Sequence, residues 1–175
     1  VELLILQHPL EQHQAKGSAR LLQLSLQRCR CEVGEVFDPA ALSAWQADGQ
    51  TLLLYPAAPG EATVLQLPLA EPSTTRLLLL DGTWRKTRKL LYANPLLAAL
   101  PRWPLPAPPP SRYAIRRAQG PGQLSTLEAA CLARGALEGR PAIYAPLLAA
   151  FDGWVADEQA RRLPPGPVSG GTPVC

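Results

Sequence analysis

The step from Arg76-Leu77-Leu78-Leu79-Leu80 into Asp81-Gly82 constrains this chain more than any other feature. Consecutive leucines cannot alternate between core and water, so a strand built from them must be covered on both faces. Such a strand belongs in a parallel sheet with helices on either side. Val1 to Leu6, ending at His8-Pro9, and Thr51 to Leu54, ending at Tyr55-Pro56, have the same make-up. The predicted fold class is therefore α/β, a mainly parallel sheet flanked by helices. Ligands collect at the carboxyl ends of the strands in such sheets, and His8, Tyr55 and Asp81 all lie at such ends.

The segments between these strands read as helices and turns. Ser18 is expected to cap a helix carrying Leu21, Leu22, Leu24 and Leu26. Cys31 to Val36 is a second short strand. Asp38 caps a helix opened by Pro39 that carries Trp45. Residues 84 to 92 form a helix with a basic face, and Pro95 to Leu100 a shorter one. Six prolines between Pro101 and Pro110 imply an extended surface connection. Arg112 to Arg117 is a predicted strand. Ser125-Thr126-Leu127-Glu128 is a capping-box pattern that opens a helix to about Glu138. A last helix spans about Ala145 to Leu163, with Leu147, Leu148, Phe151, Trp154 and Val155 on its buried side. A length of 175 residues with 47% apolar content suits one domain. That domain is assigned to residues 1–163, and the Pro/Gly-rich stretch 164–175 to a disordered tail.

Charge is distributed unevenly. From Gly82 to Leu127 there is no acidic residue, whereas Arg85, Lys86, Arg88, Lys89, Arg102, Arg112, Arg116 and Arg117 all fall there. That segment carries +8 within a chain of net charge +3, so the remainder carries −5. A basic block in an otherwise acidic chain points to a partner bearing phosphates, or to a solvated face without one. No apolar run approaches the length of a membrane span. The first residues are acidic and too short for a signal peptide. With no methionine, the sequence is expected to lack the natural start. Cys29, Cys31, Cys131 and Cys175 include no C-x-x-C pair, so no metal is expected, and reduced thiols in a cytoplasmic protein are.

Four groups carry possible chemistry. In Asp81-Gly82-Thr83-Trp84, the carboxylate can be held partly desolvated as a base, beside the free N–H groups of the next helix. It can equally be that helix's cap. His8-Pro9-Leu10-Glu11, with Lys16-Gly17-Ser18-Ala19-Arg20, can gather an imidazole, a carboxylate and two cations. In Gln123-Leu124-Ser125-Thr126-Leu127-Glu128, capping accounts for Ser125 and Glu128, and the preceding glycines permit a loop to wrap a ligand. Arg85, Lys86, Arg88 and Lys89 suit phosphate contact. Tyr92, Trp103 and Tyr113 are candidates for stacking on splayed bases, or for the core.

Taken in order, these motifs resemble the DTW-domain family. They are H-P-x-E with K-G-[ST]-A-R, L-L-x-Y-P, L-D-G-T-W-x-x-x-[RK]-K, S-R-Y-x-I-R and Q-L-S-T-L-E-A, together covering about residues 3 to 139. The resemblance implies a tRNA-uridine aminocarboxypropyltransferase. Such a transferase moves the 3-amino-3-carboxypropyl group of S-adenosylmethionine (SAM) to N3 of a uridine and releases 5′-methylthioadenosine. It also implies a SPOUT-like fold whose knotted C-terminal region holds SAM. A SAM-dependent RNA methyltransferase on the same fold and a non-catalytic RNA-binding module are the alternatives. The cysteine cluster that often opens members of the family is not reproduced by Cys29 and Cys31.

The resemblance and the residues themselves together suggest roles for particular positions. Asp81, Thr83, Trp84, His8 and Glu11 are the catalytic candidates, with Asp81 as general base. Leu54, Tyr55, Pro56, Asp81, Gly82, Leu124, Ser125, Thr126 and Glu128 are candidates for holding SAM. Lys16, Arg20, Arg85, Lys86, Arg88, Lys89, Arg112, Arg116 and Arg117 are candidates for holding tRNA, with Lys16 or Arg20 also able to pair with the SAM carboxylate.

Overall fold

The computed structural model describes residues 1–12, 18–47, 49–57, 66–106, 109–110 and 124–161. The predicted strand over Arg112 to Arg117, the stacking candidate Tyr113, Lys16 and the tail from Pro164 lie outside them. Five strands run in the order β1 (Glu2–Gln7), β2 (Cys29–Val33), β3 (Gln50–Leu54), β4 (Thr75–Asp81) and β5 (Arg102–Trp103). The helices are α1 (Ser18–Ser25), α2 (Pro39–Gln46), α3 (Trp84–Ala93), α4 (Pro95–Ala98), α5 (Thr126–Glu138) and α6 (Ala145–Ala160). The strands form one sheet in the order β2-β1-β4-β3-β5, and every pairing is parallel.

The leucine runs work as their composition requires. Leu3, Ile5, Leu52, Leu77 and Leu79 face one layer, where they meet Ala19 and Leu22 of α1, Leu127 and Ala130 of α5, and Phe151 and Val155 of α6. Leu4, Leu6, Leu53 and Leu78 face the other, against Leu42 and Trp45 of α2, Leu90 and Leu91 of α3, and Leu97 of α4. Leu147, Leu148 and Trp154 of α6 are partly buried against the first layer. No described helix is long and apolar enough to cross a membrane.

Local signals set most of the element ends. Asp38 accepts the Ala40 N–H at 3.0 Å and Pro39 opens α2. Ser125 and Glu128 form the reciprocal capping box of α5, at 3.2 and 2.8 Å. Gly139 ends α5 in the left-handed region at φ 64°, where a Cβ would stand 2.8 Å from Pro68.

Two segments depart from expectation. The proline-rich stretch after Pro101 holds β5, and Trp103 within it is 3% exposed. Prolines are tolerated beside this two-residue strand because it lies at the sheet edge. Ser18 begins α1, and its hydroxyl accepts the Leu127 N–H of α5 at 3.3 Å, so it serves a second helix.

The topology fixes where a ligand can enter. β1 leads to α1 in one layer, while its neighbour β4 leads to α3 in the other. Chains leaving adjacent strand ends toward opposite faces open a crevice between them, the topological switch point of a parallel sheet. Gln7 and Asp81 are the register partners at that point.

Candidate active site

Asp81 is the last residue of β4, 4% exposed, and both of its carboxylate oxygens are engaged. Gln7 Nε2 donates to Oδ2 at 2.7 Å, and the Thr126 hydroxyl donates to Oδ1. Its backbone carbonyl accepts the His8 N–H at 3.0 Å. Asp81 does not cap α3. Thr83 does so, accepting the Lys86 N–H through Oγ1 at 3.4 Å. A side chain still pointing out of the sheet, two residues before the N-cap position, leaves capping to the hydroxyl placed next to the helix.

His8 lies beside this carboxylate in a fixed frame. Its Nδ1 accepts the Leu10 N–H at 3.2 Å, which caps the 3-10 turn over Pro9–Glu11, and its Nε2 donates to Glu35 at 3.0 Å. The pairing sets the Nε2–H tautomer and occupies both ring nitrogens. Lys89 Nζ holds both oxygens of Glu35 at 3.1 and 3.0 Å. Those hydrogen bonds, with a smaller share from His8, keep the Glu35 carboxyl below the usual carboxylate range. Glu11 is buried and paired with Lys86 at 2.8 Å. Gly82 lets the first turn of α3 close over His8: a Cβ there would meet Lys86 Cβ at 3.1 Å and His8 Cβ at 3.6 Å.

The end of β3 completes one wall. The Tyr55 hydroxyl lies 3.3 Å from Thr87 Oγ1 of α3, and its ring meets Trp84 edge-on at 5.5 Å. The Arg102 guanidinium sits 5.6 Å over the same tyrosine ring. Trp84 keeps 40% of its surface exposed. Leu54 and Leu124 are half-buried and Pro56 is exposed.

The basic surface is narrower than the sequence implied. Lys86 and Lys89 of α3 are engaged with Glu11 and Glu35, while Arg85 and Arg88 are exposed, as is Arg20 on α1. Arg112, Arg116 and Arg117 lie outside the described residues, as Lys16 does. Among the stacking candidates, Trp103 belongs to the core and Tyr92 is 91% exposed.

Sequence reasoning missed Gln7, Glu35 and Asn94. Asn94 is buried, takes the Phe37 N–H at 2.9 Å and donates to the carbonyls of Glu35 and Leu90, which fixes the loop that presents Glu35. Its place between a helix and Pro95 was the one available signal. Among the described residues, no three His, Cys, Asp or Glu side chains gather as metal ligands. Burial pushes the Cys29 and Cys31 thiols up to about 11 and that of Cys131 up to about 12.

A family model described as the DTW domain matches residues 1–158. The chain belongs to the DTW-domain family. The DTW triplet is Asp81 with Thr83 and Trp84 around Gly82, so the residues that name the family occupy the switch point. The chain is 35% identical over 153 residues to tRNA-uridine aminocarboxypropyltransferase 2 of Drosophila melanogaster, covering 84% of this chain and 60% of that protein. Against the protein of the same name from Mus musculus, the identity is 34% over 154 residues, covering 83% and 51%. The chain thus spans between half and three fifths of these relatives. No solved structure matches.

Proposed function

We propose that this DTW domain is the catalytic part of a tRNA-uridine aminocarboxypropyltransferase, with SAM as donor and uridine N3 as acceptor. The observation that carries the reading is Asp81, the family's own acid, buried at the switch point and held by Gln7 and Thr126. Relatives named for this transfer, matched over more than four fifths of the chain, support the reaction class. The reading includes a SPOUT-like knotted C-terminal region, as the resemblance to the family implies.

The residues present suit SAM. The end of β3 meets α3 through the Tyr55–Thr87 contact, and the end of β4 meets the start of α5 through Asp81–Thr126. The Tyr55 ring suits a purine, while the Asp81 carboxylate, held by Gln7 and Thr126, is left for the proton. Bound there, SAM supplies an activated γ-carbon joined to a sulfonium. Leu54, Tyr55, Pro56, Gly82, Leu124 and Ser125 are the groups in this reading that hold it, and Asp81 supplies the basicity that removes the imide proton of the uridine. No acid is needed at sulfur, because the leaving thioether is neutral. His8 and Glu11 act as braces, since their partners in Glu35 and Lys86 hold them in place, and Glu128 works through the capping box.

The product identifies the reaction. Incubation of the full chain with SAM and tRNA should release 5′-methylthioadenosine, with a matching mass increase on a uridine. Release of S-adenosylhomocysteine would make the protein a methyltransferase instead, and absence of SAM binding would make it an RNA-binding module.

Arg85 and Arg88 carry the tRNA assignment for α3. The double change Arg85→Glu, Arg88→Glu should weaken tRNA binding and reduce the slope of log affinity against log salt by about 1 for each lost phosphate contact. An unaltered slope in a filter-binding series would take α3 out of the interface.

A further inference from the structure

We propose that Thr126, rather than Asp81, is the group that meets the substrate proton, so that the base is a Thr126–Asp81 relay with Gln7 as its positioning residue. The inference rests on the aminocarboxypropyl reading above and says how its base works.

The argument begins from access. Asp81 is 4% exposed and gives one oxygen to Gln7 and the other to Thr126. Thr126 is only partly buried. A carboxylate accepts and cannot donate, so the hydroxyl proton lies on the Asp81 side of Thr126 Oγ1. The oxygen's remaining lone-pair capacity therefore points away from the carboxylate.

Nothing else in α5 claims that hydroxyl. Ser125 caps the helix, Glu128 closes the box and the Ser18 hydroxyl takes the Leu127 N–H. Thr126 is the first helical residue of a 13-residue helix, where the macrodipole favours negative charge as it develops on the oxygen. Gln7 grips Oδ2, so Oδ1 stays directed at Thr126. The neighbouring candidates are committed elsewhere, His8 to Leu10 and Glu35, and Glu11 to Lys86.

The step balances without a further reactant. The uridine N3–H bond breaks and its proton joins Thr126 Oγ1, while the proton already on Oγ1 passes to Asp81 Oδ1. The N3 electron pair forms the bond to the γ-carbon as the carbon–sulfur bond breaks, and that pair remains on sulfur. Asp81 ends protonated, Thr126 ends as it began and the sulfonium charge is gone.

Single-turnover transfer by the full chain tests this, with SAM binding measured by calorimetry and tRNA binding by filter retention. Thr126→Val keeps the shape and removes the hydroxyl. It should slow transfer about 10²–10³-fold and leave both dissociation constants within about threefold. Thr126→Ser should restore the rate to within about fivefold of the parent. Gln7→Leu should lower the rate with little change in either dissociation constant. A tRNA carrying 5-fluorouridine, whose N3–H is more acidic, should recover about tenfold or more of the Thr126→Val deficit. A purely structural loss at the α5 N-terminus would affect both substrates alike.

The relay is overturned if Thr126→Val transfers within about threefold of the parent. It is also overturned if Thr126→Ser is as slow as Val, or if the fluorinated tRNA restores nothing. Failure of the underlying reading looks different: full activity of Asp81→Asn removes the carboxylate base altogether, and a product other than 5′-methylthioadenosine changes the reaction.

Discussion

Asp81→Asn should bind SAM as the parent does and lose about 10²–10⁴-fold in transfer rate, the range that a positioned base contributes. The substitution is close to isosteric, so its effect isolates the charge and the acceptor capacity of the site. An amide cannot accept on both sides as the carboxylate does from Gln7 and Thr126. If its N–H₂ faces Gln7, two donors oppose each other and the Gln7 amide must turn over. If it faces Thr126, the hydroxyl must rotate to accept, and its proton then points at the substrate it should deprotonate. In either arrangement the fold retains its contacts and the chemistry loses its base. Single-turnover kinetics beside SAM calorimetry check this. A rate near that of the parent would leave Asp81 as a ligand or a structural acid.

Much of the scaffold was legible because its signals are local. The leucine runs at Leu3–Leu6 and Leu77–Leu80 read as strands covered on both faces, and both layers are present. Asp38-Pro39 and Ser125-x-x-Glu128 act through partners two or three residues away, so pattern alone locates those helix starts. The site was legible only in outline. On paper Asp81 reads equally as a base or as the cap of α3, and the choice depends on where β4 releases the chain.

Gln7 carries no motif of its own, and its partner lies 74 residues away. Lys86 and Lys89 looked like phosphate contacts because their carboxylate partners, Glu11 and Glu35, are 75 and 54 residues distant. Proline content argued for a surface segment at Trp103, but the register with Leu54 draws that ring into the core. Long-range pairing in a parallel sheet decides each of these cases, and periodicity does not report it.

His8→Ala should destabilise the fold by about 2–4 kcal/mol, measured by urea unfolding. The imidazole is 2% exposed, and its removal leaves a cavity beneath the first turn of α3, where Gly82 allows close packing. It also strips the Leu10 N–H of its acceptor. The exposed Glu35 carboxylate rehydrates and adds nothing to that figure. His8→Asn separates bracing from chemistry, because an asparagine at a helix N-cap can accept the Leu10 N–H but is too short to reach Glu35. If His8 is a brace, Asn recovers part of the lost stability, and transfer measured well below the melting point stays within about tenfold of the parent. If the imidazole moves a proton in the reaction, Asn restores folding and leaves transfer as low as in His8→Ala. Both ring nitrogens already have protein partners, one fixed by a main-chain N–H and the other by a carboxylate that Lys89 holds. A ring in that frame can shuttle a proton only by giving up one of those partners, so the brace is the outcome this geometry favours.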